Sequence, residues 1–345
     1  MLPVVERMSK TMRTDWWRLR STLVTGGCGF LGSYLVEELV DAGASVTVVD
    51  NLQTGTLENI ASVRDQIVFV RADLRDRTVC EKVCAGFDTV MNLAGLAYGV
   101  EYSMKHHGEM LYNNLAIQTH MLEAARVSGV KRFLVVSSSC VYPDDAPIPT
   151  PELEVVRGLP EHVNEGYGWA KRIAELQAEY YHREYGMDIA ICRPFNPYGG
   201  RYRWAAEKSH VIPTLVKRIL DGENPLAVWG SGKQRRNFLH ARDTVQLMML
   251  ITERYPCARA VNIGYDHDTS IEELVSLISE VSGKHPDVIF DVSKPEGKFR
   301  KCADPTLLLE ITGNYQPRIN LRLGITEMVE WYYKSFAEDR LCSPT

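Results

Sequence analysis

The chain has no long apolar run. Nothing in its 345 residues approaches the roughly 18 consecutive apolar residues of a bilayer-spanning helix, which argues against a membrane partner. It has no excess of positive charge. Lys and Arg number 39 against 44 Asp and Glu, the net charge is −5, and no basic run follows the N-terminal stretch. A nucleic-acid partner is therefore not expected. The cysteine pattern of a metal site is missing too. The eight cysteines, at 28, 80, 84, 140, 192, 257, 302 and 342, are scattered, and no close-spaced pair is matched by a second pair or a histidine cluster. Cys80 and Cys84 have the i,i+4 spacing of one packed helix face. Scattered thiols of this kind read as reduced cysteines in a cytoplasmic protein. Internal repeats and low-complexity tracts are absent. Residues 1–20 are basic with two tryptophans, and their apolar segment is too short for a secretory signal, so they read as an N-terminal extension.

What is present is a chain 45% hydrophobic and 24% charged, long enough for one large domain or two intimately packed ones. Its organising stretch is Leu23-Val24-Thr25-Gly26-Gly27-Cys28-Gly29-Phe30-Leu31-Gly32. A short apolar run precedes the glycines and an amphipathic segment, 33–42, follows them. Gly27, Gly29 and Gly32 fit the G-x-G-x-x-G spacing, in which the glycines allow a tight turn, close approach to a pyrophosphate and close helix–strand packing. The helix N-terminus beyond them offers free N–H groups and the positive end of its dipole to phosphate. A second strand, 45–49, ends at Asp50, 18 residues after Gly32. An acid there accepts hydrogen bonds from ribose hydroxyls and repels a 2′-phosphate, so the expected cofactor is NAD.

Strand-like and helix-like segments alternate through the first half. Strands are expected at 67–70, 89–93, 132–136 and 188–192, and helices at 110–128 and 168–185. This pattern predicts an α/β, Rossmann-type, doubly wound parallel sheet. Asp73, Ala94, Ser138 and Arg193 fall at strand ends, where such sheets hold ligands. After Pro194 the segments shorten. Helices are expected at 210–220, 241–251 and 270–282, with strands at 226–229 and 260–263. The reading is an NAD-binding domain over 21–195, with 241–264 a candidate return to it. A smaller C-terminal α/β substrate lobe covers 196–340, and the site lies in the cleft between them.

Tyr167 and Lys171 form a Y-x-x-x-K pair on one helix face. A phenol with an ordinary pKa of about 10 becomes a useful base beside an ammonium and the cation of bound NAD⁺. With TGGCGFLGS, VVDN, ADLRD, NLAG, YNN, SSSCVYP, YGWAK and RPFNPYGG, the chain resembles the extended short-chain dehydrogenase/reductases of the nucleotide-sugar epimerase/dehydratase group over about 21–338. That resemblance implies cofactor contacts from Gly26, Gly29, Phe30, Leu31, Gly32, Asp50, Asn51, Asp73, Leu74, Leu93, Ala94, Gly95, Asn114, Tyr167, Lys171 and Pro194.

Group members that make 4-keto-6-deoxy sugars carry an acid pair after the strand-end residue. Here Ser138-Ser139-Cys140-Val141-Tyr142-Pro143 has none, which argues against a dehydratase. The segment resembles instead GDP-mannose 3,5-epimerases and GDP-fucose synthases, which invert C3 and C5 of a 4-keto hexose. The resemblance implies Ser138 and Ser139 at the C4 oxygen, Cys140 as one acid/base, and Lys208 or His210 as the second, a choice left open. Substrate contacts are implied for Asn196, Lys208, Arg236 and Arg300, the arginines on a nucleotide diphosphate. Asp50 favours a closed cycle that returns its NAD⁺, so the leading expectation is an NAD-dependent epimerase of a nucleotide-diphosphate sugar, GDP-linked for preference. Simple C4 epimerisation is open beside it. The alternative is a 4-keto-sugar reductase or epimerase-reductase of the fucose synthase type. A homodimer through helices 110–128 and 168–185 is expected from the resemblance.

Overall fold

Apolar runs between turn signals become strands buried on both faces, as a parallel sheet demands. The computed structural model describes residues 15–202, 204, 209–294 and 298–341, with side chains up to Phe336. In chain order the first half contains β1 (Ser21–Thr25), α1 (Phe30–Asp41), β2 (Ser45–Asp50), β3 (Val68–Arg71), α2 (Arg77–Val83), β4 (Thr89–Asn92), α3 (Val100–Lys105), α4 (His107–Val127), β5 (Arg132–Val136), α5 (Glu165–Tyr185) and β6 (Asp188–Pro194). The second half contains β7 (Pro197–Tyr198), α6 (Val211–Leu220), β8 (Leu226–Trp229), β9 (Arg235–Arg236), β10 (Leu239–His240), α7 (Ala241–Arg254), β11 (Cys257–Ile263) and β12 (Thr269–Ser270). It closes with α8 (Ile271–Ser282), β13 (Val288–Asp291), β14 (Arg300–Lys301), α9 (Thr306–Thr312) and α10 (Leu321–Leu341).

Seven strands form the central sheet in the order β11-β6-β5-β4-β1-β2-β3, every pair parallel. The order reverses between β1 and β4, which opens a crevice beyond their carboxyl ends. The expected α/β, doubly wound architecture is therefore present. The last strand, β11, reaches the sheet from the second half of the chain and pairs with β6. One face of the sheet is covered by α1 and α7, through Leu35, Val36, Leu39, Val245, Met248 and Ile251. The other is covered by α2, α4 and α5, through Cys80, Cys84, Met121, Leu122, Ala174 and Ala178. A separate core joins α6, α8 and α10 to β8, around Leu215, Leu226, Leu274 and Met328.

Helix limits differ from the sequence expectation in ways that matter for the site. α5 starts at Glu165 rather than at 168, so Tyr167 stands in its first turn. α1 starts at Phe30, immediately after Gly29, and takes Gly32 into its first turn. α8 begins after Ser270, whose hydroxyl and the Glu273 carboxylate form a reciprocal capping box.

The layer between α1 and α7 carries buried charge. Glu37 and Glu38 point inward from α1, and Arg242 of α7 meets both, at 3.0 and 2.9 Å. Arg201 completes the cover of Glu37 and Gln246 that of Glu38. From α10, Glu327 reaches Tyr34 of α1 and lies 2.7 Å from His240. These contacts fix α1, whose N-terminus faces the crevice, against the second half of the chain. Arg242→Met removes the shared cation and leaves two carboxylates in the interior. The expected loss is about 3–5 kcal/mol of unfolding free energy in urea titration. A loss under about 1 kcal/mol, the range of an exposed pair, contradicts this reading.

Candidate functional site

A single cavity of about 1110 Å³ runs from the glycine turn, past the ends of β4 and β5, to β8, β9 and β14. Its first part is shaped by backbone. Gly26 has φ +66°, and a Cβ there would lie 2.9 Å from the Ala94 backbone. A Cβ on Gly32 would lie 2.0 Å from the Gly26 carbonyl oxygen. Both glycines line the cavity. Gly27 does not. Its missing Cβ makes room for the Val48 side chain, which would be 2.6 Å away. The turn glycine is thus Gly26, and Gly27, which the spacing placed at the turn, serves the packing of β2 against α1.

Asp50 is buried at the end of β2. Its Oδ1 accepts the Leu52 N–H at 2.8 Å and its Oδ2 accepts the Cys28 N–H at 3.0 Å. Burial pushes its pKa up and those two donors pull it back. The carboxylate therefore anchors the glycine turn as well as facing the cavity. Each of its oxygens keeps a second lone pair for a ribose hydroxyl. Asp73 is held at about 2 by Arg75, which forks onto it and adds its backbone N–H, with Asn51 a fourth donor. Asn114 spends its side chain on the loop after β4. It accepts from the Leu96 N–H and donates to the carbonyls of Leu96 and Met110. Phe30, Leu31, Leu74, Leu93, Ala94, Gly95 and Pro194 line the same cavity. Backbone that excludes any Cβ, a helix N-terminus and an acid at the end of β2 fit a dinucleotide with a free 2′-hydroxyl.

The second part carries ionisable side chains. Tyr167 and Lys171 project from the first turns of α5. The Lys171 ammonium donates to the Val136 carbonyl at 2.7 Å and sits 5.4 Å from the Tyr167 ring centre. Burial lowers Lys171 to about 8. Burial, then the nearby Cys140, raise Tyr167, opposed by its hydrogen bond with Ser138. The Ser138 hydroxyl also accepts the Cys140 N–H at 3.2 Å and so caps the turn that carries the thiol. Ser139 and Cys140 line the cavity beside it. His210 caps α6, turns an edge to Tyr202 and opens onto the cavity. It is exposed at the cavity mouth, and desolvation of the ring there, then the Lys301 charge, lower its pKa. Lys208 lies outside the described residues. Asn196 lines the cavity with its amide donated to the Asn237 carbonyl at 3.0 Å.

Arg300 does not line the cavity. It shares Asp268 with Arg235, on the side of β9 and β14 away from the cavity. The two strands are parallel, with Arg300 opposite Arg235 and Lys301 opposite Arg236. Strand side chains alternate between faces, so Arg236 and Lys301 turn inward together. Of the Arg300-Lys301 pair, which the sequence reading entered through its arginine, Lys301 is the member that lines the cavity. The sequence reading missed Glu161, whose carboxylate lies 3.0 Å from the Lys301 ammonium. The period-two rule applied to two adjacent cations could have found Lys301. Glu161 follows an irregular stretch with no periodic signal.

Buried Arg193, at the end of β6, is structural. It pairs with Glu175 at 2.6 Å and donates to the Tyr142 hydroxyl.

Known proteins agree with this geometry. Residues 22–264 match the family described as NAD dependent epimerase/dehydratase. GDP-L-fucose synthase 1 of Arabidopsis thaliana is 31% identical over 316 residues, covering 90% of this chain and 93% of that protein. GDP-L-fucose synthase of Escherichia coli (strain K12) is 31% identical over 297 residues, covering 82% and 91%. Among solved structures, UDP-glucose 4-epimerase of Thermotoga maritima with UDP-glucose superposes with a TM-score of 0.81 at 29% identity, covering 91% of this chain and 99% of that one. With the match spanning the glycine turn, the crevice and the Tyr167–Lys171 helix, the chain belongs to the NAD dependent epimerase/dehydratase family, and its cofactor is NAD(H).

Proposed function

We propose that the chain is an epimerase-reductase of a 4-keto nucleotide-diphosphate sugar. The observation that carries this reading is the meeting, in one cavity, of Tyr167 and Ser138 with Cys140 and His210. Tyrosine and serine suffice for chemistry at C4 alone. A thiol and an imidazole beside them add proton carriers for the neighbouring carbons. Relatives about 30% identical and named GDP-L-fucose synthase support the same reading. The leading expectation from sequence, an epimerase that keeps its oxidised cofactor, yields to it.

A C4 carbonyl makes the C3 and C5 protons acidic, because the electron pair left behind delocalises onto oxygen. Cys140 and His210 are the groups to take and return those protons. Ser138 and Tyr167 hold the C4 oxygen, and a phenol kept protonated by burial suits donation to that oxygen as the ketone becomes an alcohol. When bound, NAD(H) supplies the hydride for that reduction. Lys171 keeps a positive charge beneath the phenol. At the far end, Arg236, Lys298 and Lys301 outnumber Glu161, which suits a diphosphate. Trp229, on the same wall, offers a face to a nucleobase. A GDP-sugar is the preferred substrate class. The sheet with β11 holds the cofactor, and the remainder of 196–340 covers the sugar nucleotide.

The exposed apolar side chains Tyr112 on α4 and Ile173, Leu176 and Tyr180 on α5 support a homodimer through these two helices. No described helix is long and apolar enough to cross a membrane, and a cytoplasmic location is part of the proposal.

A closed-cycle epimerase is the second reading, and Asp50 favours it by disfavouring a 2′-phosphate. The two separate on cofactor use. With a GDP-linked 4-keto-6-deoxyhexose and NADH or NADPH, one reduced nicotinamide should be lost from the absorbance per sugar converted. Product without such loss overturns the reductase reading. Tyr167→Phe should slow that reaction about 10²–10⁴-fold while cofactor still binds, and undiminished turnover contradicts the role of the phenol.

Lys171 gives a pH signature. Its folded pKa is lowered to about 8, so the ammonium is present below that value and lost above it. The reductive kcat/KM should fall as pH rises past about 8. In Lys171→Arg, whose charge persists to high pH, the plateau should extend upward. An identical fall in both proteins contradicts the assignment.

A further inference from the structure

Cys140 is not a lone thiol. Its Sγ lies 3.7 Å from the Lys301 ammonium, which lies 3.0 Å from Glu161. Glu161 returns to Cys140 twice. Its backbone N–H donates to the Cys140 carbonyl at 3.1 Å, and the charge of its carboxylate acts on the thiol and raises its pKa. Glu161 also takes the Asn164 amide at 2.9 Å, which fixes its orientation. Lys301 and Glu161 are both less than a tenth exposed, and both line the cavity. Nothing in the fold requires a charged pair there. Two buried charges seldom stabilise a protein more than apolar residues of the same size. The neighbouring Arg300 already ties its strand to Asp268 on the opposite side.

We propose that Lys301 and Glu161 are paired positioning residues that control the proton of the Cys140 thiol, Lys301 holding the thiolate and Glu161 holding the thiol. This rests on Cys140 being the acid/base proposed above. In the step, the thiolate takes a proton from the sugar carbon and becomes a thiol, and the carbon electron pair passes into the carbonyl. The proton returns from the Cys140 thiol itself, or, for inversion, a proton comes from His210 once its imidazole has taken one from water, and the thiol then gives its proton to solvent. Burial raises the thiol to about 11, with Lys301 pulling down and Glu161 pushing up, so the two charges act on the sulfur in opposite senses. Among the described residues, Ser138 faces the sulfur from its own turn, Tyr167 and Lys171 from α5, and Glu161 and Lys301 as above. Arg236, Lys298 and His210 act on that pair from β9, from the segment before β14 and from the start of α6.

The test needs no substrate. The full chain is alkylated with iodoacetamide from about pH 6 to about pH 10, and the Cys140 peptide is quantified by mass spectrometry. Each midpoint is placed relative to the wild type from the displacement of the log-rate profiles, which rise about tenfold per pH unit below the midpoint. Glu161→Gln should move the midpoint of the rate profile down by about one unit, and Lys301→Met should move it up by a similar amount. Lys301→Arg keeps the charge and should stay near the wild type. If Lys301→Met leaves Glu161 unpaired and the chain fails to fold, Glu161→Gln and the neutral double variant Glu161→Gln/Lys301→Met decide. Relative to the double variant, Glu161→Gln should lie lower by about one unit. Midpoints that coincide in all folded variants overturn the proposal. Shifted midpoints together with undiminished solvent-deuterium uptake into the sugar by Cys140→Ala would instead uphold the control of the thiol and overturn the reading of Cys140 as the acid/base.

Discussion

The absence of space at Gly26 and Gly32 is the constraint on which the rest depends. α1 can sit directly on the end of β1 only because no Cβ separates Gly32 from the Gly26 carbonyl. That contact aims the helix N-terminus into the crevice where the strand order reverses. Asp50, steadied by the Leu52 N–H, then holds the turn through the Cys28 N–H, and the Glu37–Glu38–Arg242 contacts hold the far part of the helix. The geometry of the dinucleotide end is thus built from close backbone contact and buried charge pairs.

The opposite end follows from another simple rule. Two short parallel strands each place adjacent cations on opposite faces. The outward pair, Arg235 and Arg300, shares Asp268. The inward pair, Arg236 and Lys301, faces the cavity. The outward charges tie β9 and β14 to Asp268, and the inward ones give the cavity the cationic wall that the proposed function assigns to a diphosphate. Between the wall and the glycine turn lie Tyr167, Ser138 and Cys140. A sugar linked to a diphosphate and reaching toward a nicotinamide would have its ring there.

Local signals were legible and long-range ones were not. The β1-turn-α1 unit, the sheet class and the Tyr167–Lys171 pair could be read because each is written within a few consecutive residues. Helix starts were less legible, because α5 begins on Glu165 and Gly166, before any apolar periodicity appears. Gly26 and Gly27 were confused because spacing alone does not say which glycine meets backbone and which meets Val48. The Glu161–Lys301 pair joins residues 140 apart, one after an irregular loop and one in a two-residue strand, so only the folded chain brings them together. The choice between isomerase and oxidoreductase was poorly legible for a different reason. Asp50 speaks to the form of the cofactor, whereas the fate of the hydride depends on which sugar arrives and in which oxidation state.

The central claim is that one cavity both exchanges carbon-bound protons and reduces the carbonyl between them. NMR of the sugar formed from a GDP-linked 4-keto-6-deoxyhexose and reduced nicotinamide in deuterium oxide tests it most directly. The account predicts deuterium at both carbons flanking C4, inverted configuration there, and C4 as an alcohol. An alcohol carrying protium at both flanking carbons, with configuration retained, would contradict it.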